Sequence, residues 1–119
     1  MKICHNALVT QIQNGVNETL ALAQKNGISI PDYATAISYG GGQNFYLDGQ
    51  AAKLAAEDYT TAFSFENAAK DVNICMNLAK ECGLDMPGEA NVQKVYQKGM
   101  EMGIGKDDWR STFKLVRGY

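Results

Sequence analysis

The sequence predicts an all-α domain, a bundle of about six helices joined by short connections, in a single domain of 119 residues. Apolar residues recur at helical spacing, and the clearest series is Leu8, Ile12, Val16, Leu20 and Ala23. Val and Ile rarely alternate with polar residues, so strand signals are nearly absent. Gly and Pro separate the helical segments, as expected at helix ends and starts.

The first predicted helix runs from about Met1 to Asn26 and ends at Gly27. No Ser, Thr, Asp or Asn precedes its apolar series as an N-cap, and the pattern is already present at Ile3. We therefore expect further sequence upstream of Met1. Any chemistry at this edge is then expected to be half of a larger site.

The second helix is predicted to start with Pro31, which suits a first turn, and to end at Gly40-Gly41-Gly42. A third, shorter helix is predicted from about Phe45 to Ala56, with an interruption at Gly49. The segment from Asp58 to Ser64 is predicted to be a loop.

The fourth helix is predicted from about Phe65 to Cys82, the fifth from Pro87 to about Met102, and the sixth after Asp107. The inward residues of the fourth helix are predicted to be Phe65, Ala69, Val72, Cys75 or Met76, Ala79 and Cys82. Those of the fifth are predicted to be Val92, Val95, Tyr96 and Gly99, and those of the sixth Trp109, Phe113 and Val116. Met76, Met100 and Met102 are also predicted to lie in the core.

Two segments, 27–31 and 83–87, share one pattern: Gly, an aliphatic residue, a small polar residue, an aliphatic residue and Pro. A left-handed Gly ends one helix and Pro opens the next, so both are predicted to be tight helix–helix corners.

Composition excludes several classes of function. The net charge of −2 and the absence of a Lys/Arg cluster argue against a nucleic-acid partner. No apolar run approaches the ~20 residues of a membrane span, and no signal peptide opens the chain. The single histidine, His5, excludes a zinc site built on His pairs, and we expect no metal. No Gly-rich βαβ unit is present to hold a dinucleotide by itself.

The chain has three cysteines at scattered spacing, Cys4, Cys75 and Cys82, which do not make a disulfide framework. They are predicted to be reduced and packed as small apolar groups, which is typical of a protein of the reducing cytoplasm.

Two lysines stand out among the polar residues. Lys70 shares a polar face of the fourth helix with Glu66, Asn73 and Asn77, and the simplest interpretation is a solvated face with a Glu66–Lys70 pair. Lys2 alone would be interpreted as a frayed terminal lysine. On pattern alone, the sequence predicts no more than a helical domain.

Taken together, the segments resemble the C-terminal domain of the β-hydroxyacid dehydrogenases. This is the family of 3-hydroxyisobutyrate dehydrogenase and 2-hydroxy-3-oxopropionate reductase, related to 6-phosphogluconate dehydrogenase. Three motifs carry the resemblance. Lys2-Ile3-Cys4-His5-Asn6 resembles the family's Lys-x-x-Asn-Asn, and Phe63 followed by Lys70-Asp71-Val72 resembles its Phe and Lys-Asp-Leu. Gly103-x-Gly105-x-x-Asp108 resembles its closing Gly-x-Gly-x-x-Asp-x-Ser, with Arg110 in place of Ser.

The resemblance implies an intact enzyme in which an N-terminal Rossmann domain binds NAD or NADP and this helical domain closes the cleft over a small hydroxyacid. It implies that Lys2 is the catalytic lysine, that Asn6 and Phe63 contact the substrate, and that Lys70 reaches the cofactor. Hydride delivery to a carbonyl builds negative charge on oxygen, which a nearby ammonium can stabilise and protonate. A homo-oligomer is expected. Without the nucleotide-binding domain, this chain is expected to be catalytically silent.

An alternative from a different class is a stand-alone helical association module without catalysis. The apolar first helix would leave a patch exposed if it had no partner, which favours association. The residues leave this alternative open.

Overall fold

A computed structural model describes residues 1–118, whose regular secondary structure is helical. Its six α-helices are α1 (Lys2–Lys25), α2 (Ile30–Ile37), α3 (Phe45–Ala55), α4 (Phe65–Glu81), α5 (Pro87–Glu101) and α6 (Thr112–Arg117), with a 3-10 turn (Trp109–Ser111) before α6. Apart from one isolated bridge between Ser64 and Asp108, no strand pairing occurs in this range. The predicted all-α class is therefore confirmed.

The two predicted corners have the expected conformation, and a third corner shares it. Gly27, Gly83 and Gly103 have φ values of 83°, 73° and 81°, in the left-handed region that suits glycine. In each corner the amide after the glycine bonds back over the last helical turn: Ile28 to the carbonyl of Ala23 (3.0 Å), Leu84 to Ala79 (2.9 Å) and Ile104 to Gly99 (3.2 Å). These bonds close the ends of α1, α4 and α5.

The starts of three helices are set by side-chain caps. The bonds run from the Asp32 amide to Ser29 Oγ (3.2 Å), from the Leu47 amide to Asn44 Oδ1 (2.8 Å) and from the Asn67 amide to Ser64 Oγ (3.2 Å). Because Ser29 is the cap, α2 begins at Ile30 and not at Pro31. The predicted interruption of α3 at Gly49 is wrong: the helix continues through it, since one exposed glycine lowers helix propensity without breaking the turn.

The core consists of two apolar clusters. One cluster lies among α1, α2, α3 and α6 around Leu20, Leu47 and Phe113, and the other lies between α4 and α5 around Phe65. Trp109 packs against both clusters. The turn before α6 therefore ties the two halves of the core together.

The buried face of α1 is more polar than predicted. Leu8 is 58% exposed, whereas Thr10, Gln13 and Asn17 are buried. The prediction assumed that only apolar residues of α1 face inward. Amides and hydroxyls can also be buried where they are hydrogen-bonded. The Gln13 amide accepts a 2.5 Å bond from Tyr96 Oη and donates a 3.1 Å bond to Tyr46 Oη.

Several predicted core positions are exposed. Met100 and Met102 are 43% and 60% exposed, because they lie at the end of α5 beside the corner at Gly103. Cys82 is exposed because it caps the end of α4. Cys4 is exposed as well, so only Cys75 packs as the small apolar group that was predicted. All three cysteines are free thiols.

Candidate active site

A cleft of ≈ 370 Å³ lies between the start of α1, the loop before α4 and the first half of α4. Lys2, Phe63 and Lys70 line this cleft, so three of the four residues singled out from the sequence lie on one surface. Its other lining residues are Ile3, Asn67, Asp71 and Ile74. We call this surface the lysine cleft.

The two lysines reach the lysine cleft from different helices. Lys2 lies in the first turn of α1, and Lys70 lies on α4 one turn after Asn67 and one turn before Ile74. Both lysines are exposed, and neither forms an ion pair within residues 1–118. Their ammonium groups are therefore available to an anion or to a carbonyl oxygen that enters the cleft.

The predicted Glu66–Lys70 pair is wrong. Glu66 Oε1 instead accepts a 2.9 Å bond from Lys106 Nζ, which comes from the corner after α5. The tertiary fold brings Lys106 to Glu66, and this contact replaces the local pair expected at a spacing of four residues.

Asn6 lies beside the lysine cleft and is joined to it by Asp71. Its Nδ2 donates a 2.8 Å hydrogen bond to Asp71 Oδ2, which links α1 to α4. The Asn6 Oδ1 lies 3.4 Å from Nδ1 of the exposed His5. Asn6 itself lines an adjoining, more apolar cleft of ≈ 410 Å³, together with Leu8, Phe45 and Trp109 among others.

Asp71 is a site residue that sequence reasoning missed. In the sequence Asp71 is named only within the Lys70-Asp71-Val72 motif, and the fold shows that its carboxylate accepts the Asn6 amide. Its only sequence signal was the adjacent pair Lys70-Asp71.

Phe63 is held in place by the segment that follows α5. Asp108 Oδ1 accepts hydrogen bonds from the amides of Ala62 (2.9 Å) and Phe63 (3.0 Å), and the Trp109 amide donates a 2.9 Å bond to the Phe63 carbonyl. The rings of Phe63 and Trp109 meet edge to face, with centroids 4.9 Å apart at 90°. Phe63 thus forms a fixed apolar wall of the lysine cleft.

The closing Gly-x-Gly-x-x-Asp motif has a structural explanation. Gly103 takes the left-handed conformation at the end of α5. The carbonyls of Gly105 and Asp107 then accept 2.9 Å and 2.7 Å bonds from the first amides of α4, those of Glu66 and Phe65. The motif therefore caps the helix that carries Lys70.

Arg110 belongs to this support and not to the cleft. Its guanidinium is buried, lies 3.0 Å from Asp108 Oδ2, and donates to Gln50 Oε1 (2.7 Å) and to the carbonyls of Asp58 (3.0 Å) and Thr60 (2.8 Å). These bonds fasten the loop that presents Phe63. Arg110 is thus a loop anchor in this chain.

The lysine cleft fits part of a nicotinamide cofactor rather than all of it. The ammonium groups of Lys2 and Lys70, beside the Phe63 ring, suit the polar nicotinamide end of the cofactor. Residues 1–118 contain no strand, so they provide no βαβ cradle for the pyrophosphate.

Comparison with known proteins gives the family. A family model described as NAD-binding of NADP-dependent 3-hydroxyisobutyrate dehydrogenase matches residues 1–116. The chain belongs to this family. The resemblance and the expected NAD or NADP cofactor are thereby confirmed at the level of the family, whose description names a dehydrogenase.

Curated relatives are dehydrogenases and reductases. The chain is 25% identical to glyoxylate/succinic semialdehyde reductase 1 of Arabidopsis thaliana, covering 98% of the chain and 40% of that protein. It is 28% identical to a probable mitochondrial 3-hydroxyisobutyrate dehydrogenase of the same plant, covering 95% of the chain and 35% of that protein. The chain thus spans well under half the length of these relatives.

Solved structures share the fold. The chain matches 3-hydroxyisobutyrate dehydrogenase from Salmonella typhimurium with a TM-score of 0.90 and 21% identity, over 96% of this chain and 40% of that one. It matches the Mycobacterium tuberculosis 3-hydroxyisobutyrate dehydrogenase with a TM-score of 0.88 and 20% identity, over 98% and 42% of the two chains.

Among the helices of residues 1–118, none combines the length and the apolar character that a membrane span requires.

Proposed function

We propose that this chain is the substrate-facing helical domain, residues 1–119, of an NAD(P)-dependent 3-hydroxyacid dehydrogenase. The enzyme interconverts a small β-hydroxyacid and its semialdehyde or oxoacid, and an N-terminal Rossmann domain completes the site. The observation that supports this proposal is the meeting of Lys2, Lys70 and Phe63 on one cleft in a chain of this family.

Lys2 is the proposed catalytic residue. When bound, the nicotinamide supplies the hydride chemistry. In the direction of reduction the Lys2 ammonium donates a hydrogen bond to the carbonyl oxygen, stabilises the negative charge that develops there, and transfers its proton to that oxygen. In the direction of oxidation the neutral amine accepts the proton of the alcohol.

Asn6, Phe63 and Lys70 hold the reactants. One N–H of the Asn6 amide is bound to Asp71, which leaves the other free to donate to the substrate. Phe63 excludes water from one side of the cleft, and Lys70 contacts the cofactor near its reacting end. The description of the matching family as NAD-binding supports a cofactor contact within these residues.

The test compares lysine variants in the protein that joins this chain to a nucleotide-binding domain. We expect Lys2→Ala to lower kcat by about 10²- to 10⁴-fold, the usual contribution of a general acid. We expect Lys70→Ala to raise the KM for the cofactor. Lys80→Ala is the matched control, because Lys80 is exposed on the same helix as Lys70 but nearly three turns further along.

Wild-type turnover in Lys2→Ala would remove Lys2 from the mechanism. Activity of the 119-residue chain alone with NAD or NADP would contradict its proposed dependence on a second domain.

The enzyme is further proposed to be a cytoplasmic homo-oligomer. Its three free thiols support a reducing compartment. Fractionation of cells tests the cytoplasmic location, and sedimentation of the intact protein tests the homo-oligomer.

A stand-alone association module is the second candidate. It is favoured by one observation: Leu8 and Phe45, 58% and 91% exposed, flank the ≈ 410 Å³ apolar cleft beside Asn6. The reading frame upstream of Met1 separates the candidates. A strand, a Gly-rich turn and a helix encoded in frame favour the enzyme, whereas a genuine start codon at Met1 favours the module.

A further inference from the structure

The chain's three cysteines, scattered in sequence, line one cleft. Cys4 comes from α1, Cys75 from α4 and Cys82 from the residue that caps the end of α4, and they line an apolar cleft of ≈ 340 Å³. Cys4 and Cys82 are exposed, and Cys75 is buried. Nothing in the proposed hydroxyacid chemistry uses these thiols.

The packing of α1 against α4 brings Cys4 toward Cys75. Near the start of α1, Asn6 bonds to Asp71 in the middle of α4. Further along α1, Gln13 bonds to Tyr96, whose ring lies 4.7 Å from that of Phe65 at the start of α4. The two helices therefore run in opposite directions. Going back along α1 from Asn6 leads to Cys4, and going forward along α4 from Asp71 leads to Cys75.

The other pairings are less favourable. Cys82 caps α4 seven residues after Cys75, which separates the two by about 10 Å along the helix axis, beyond the ~7 Å limit between the Cα atoms of a disulfide. Cys4 and Cys82 lie at different levels of the cleft, because Cys82 is at the end of α4. Cys4 with Cys75 is therefore the pair the fold favours.

We infer that Cys4 and Cys75 form a peroxide-sensitive thiol pair, which a hydroperoxide converts to a disulfide between α1 and α4. The exposed Cys4 thiolate attacks a peroxide oxygen; the O–O bond breaks, and sulfenic acid and one water form. The Cys75 sulfur then attacks the Cys4 sulfur; the S–O bond breaks, the S–S bond forms, and hydroxide leaves as a second water with the Cys75 proton. Two thiols are oxidised and one peroxide is reduced.

The order of the two steps follows from the surroundings of each thiol. Burial, and then the charges of Glu89 and Cys4, raise the pKa of the Cys75 thiol, so Cys75 is the poorer first nucleophile. Peroxide also reaches the exposed Cys4 more readily. Cys4 is thus the sulfur that is oxidised first, and Cys75 is the one that resolves it.

The experiment treats the reduced, folded chain with hydrogen peroxide at low protein concentration, blocks the remaining thiols and maps peptides by mass. The expected main product joins the Cys4 and Cys75 peptides with the loss of two hydrogens, and dithiothreitol reverses it. Cys82→Ser is expected to leave this product unchanged, and Cys4→Ser, at an exposed position, to abolish it without affecting the circular dichroism spectrum.

Peroxide treatment in concentrated urea gives the reference without a fold, where the preference for this pair is expected to disappear. A Cys4–Cys82 link, a disulfide-joined dimer, or Cys4 sulfinic acid as the main product of the folded chain would each overturn the inference. The variant Cys75→Ala tests the role of Cys75 as the resolving thiol. Without Cys75 no disulfide can form with Cys4, so this variant is expected to accumulate the oxidised acids of Cys4.

Discussion

The side-chain amide of Asn6 donates a 2.8 Å hydrogen bond to Asp71 Oδ2, and this bond joins the first turns of α1 to the middle of α4. One helix carries Lys2 and the other carries Lys70. The bond therefore helps to hold together the two helices whose lysines line the lysine cleft. It also orients the Asn6 amide, which is the proposed substrate contact.

We expect Asn6 and Asp71 to be energetically coupled. Because the acceptor is a carboxylate and the bond is partly buried, a double-mutant cycle of Asn6→Ala and Asp71→Ala should give a coupling of about 1 to 2 kcal/mol in the free energy of unfolding. Urea unfolding of the four proteins measures it. The matched control is the exposed Gln93–Asn73 bond of 3.0 Å, which also joins two helices and should give less than about 0.5 kcal/mol. Equal couplings would show that the Asn6–Asp71 bond does not clamp the helices.

Loss of Arg110 should be among the most damaging single changes. Arg110→Met leaves the Asp108 carboxylate buried without its cation and frees the carbonyls of Asp58 and Thr60. Breaking a buried ion pair by removing one partner costs about 3 to 5 kcal/mol of stability, which chemical denaturation measures. Lys94→Met, on the exposed face of α5, is the control and should change stability by less than about 0.5 kcal/mol. A mild Arg110 variant would mean that solvent reaches this pair.

The fold was predictable where a local rule decides the structure. Helix spacing, the two Gly–Pro corners and the loop before α4 follow from short stretches of sequence, and the structure has all of them. The polar inner face of α1 was not predictable in this way. Gln13 is buried because Tyr46 and Tyr96, far away in sequence, satisfy its amide, and no local pattern contains that information.

The candidate site divides in the same way. Lys2 and Lys70 were noticed through their motifs, and only the fold shows that they line one cleft. Glu66 was assigned to Lys70 on helical spacing, yet it pairs with Lys106, which is distant in sequence. Long-range partners of this kind depend on packing, which the sequence pattern does not specify.

Two glycines on different helices should respond in opposite directions to alanine. Gly49 lies in the interior of α3, and no atom outside its own helix lies within 4 Å of where a methyl group would sit, so Gly49→Ala should stabilise the protein by about 0.5 to 1 kcal/mol through helix propensity. A methyl group on Gly99 would overlap the ring of Phe65, so Gly99→Ala should destabilise it by about 1 to 3 kcal/mol. Thermal unfolding of the two variants measures both effects. Destabilisation by Gly49→Ala would show that α3 needs a glycine there.

The last prediction concerns the buried carboxyl of Glu89. Its Oε1 accepts a 2.9 Å bond from Thr10 Oγ1, while its Oε2 has no hydrogen-bond partner within the described residues. Burial raises the pKa of Glu89, against the opposing effect of the hydrogen bond from Thr10. The folded chain therefore holds this proton more tightly than the unfolded chain, whose carboxyl has the ordinary pKa of 4.5.

The contribution of Glu89 to the free energy of unfolding is thus complete below that ordinary pKa and is lost as pH rises through the raised value. Glu89→Gln keeps the shape and the bond to Thr10 but cannot ionise, so the variant should lack this loss and should be the more stable protein at neutral pH. Urea unfolding from about pH 4 to about pH 8 measures the difference. Glu81→Gln, at an exposed position near the end of α4, is the control and should follow the wild-type curve. Parallel curves for Glu89→Gln and the wild type would mean that the pKa of Glu89 is the same in the folded and the unfolded chain.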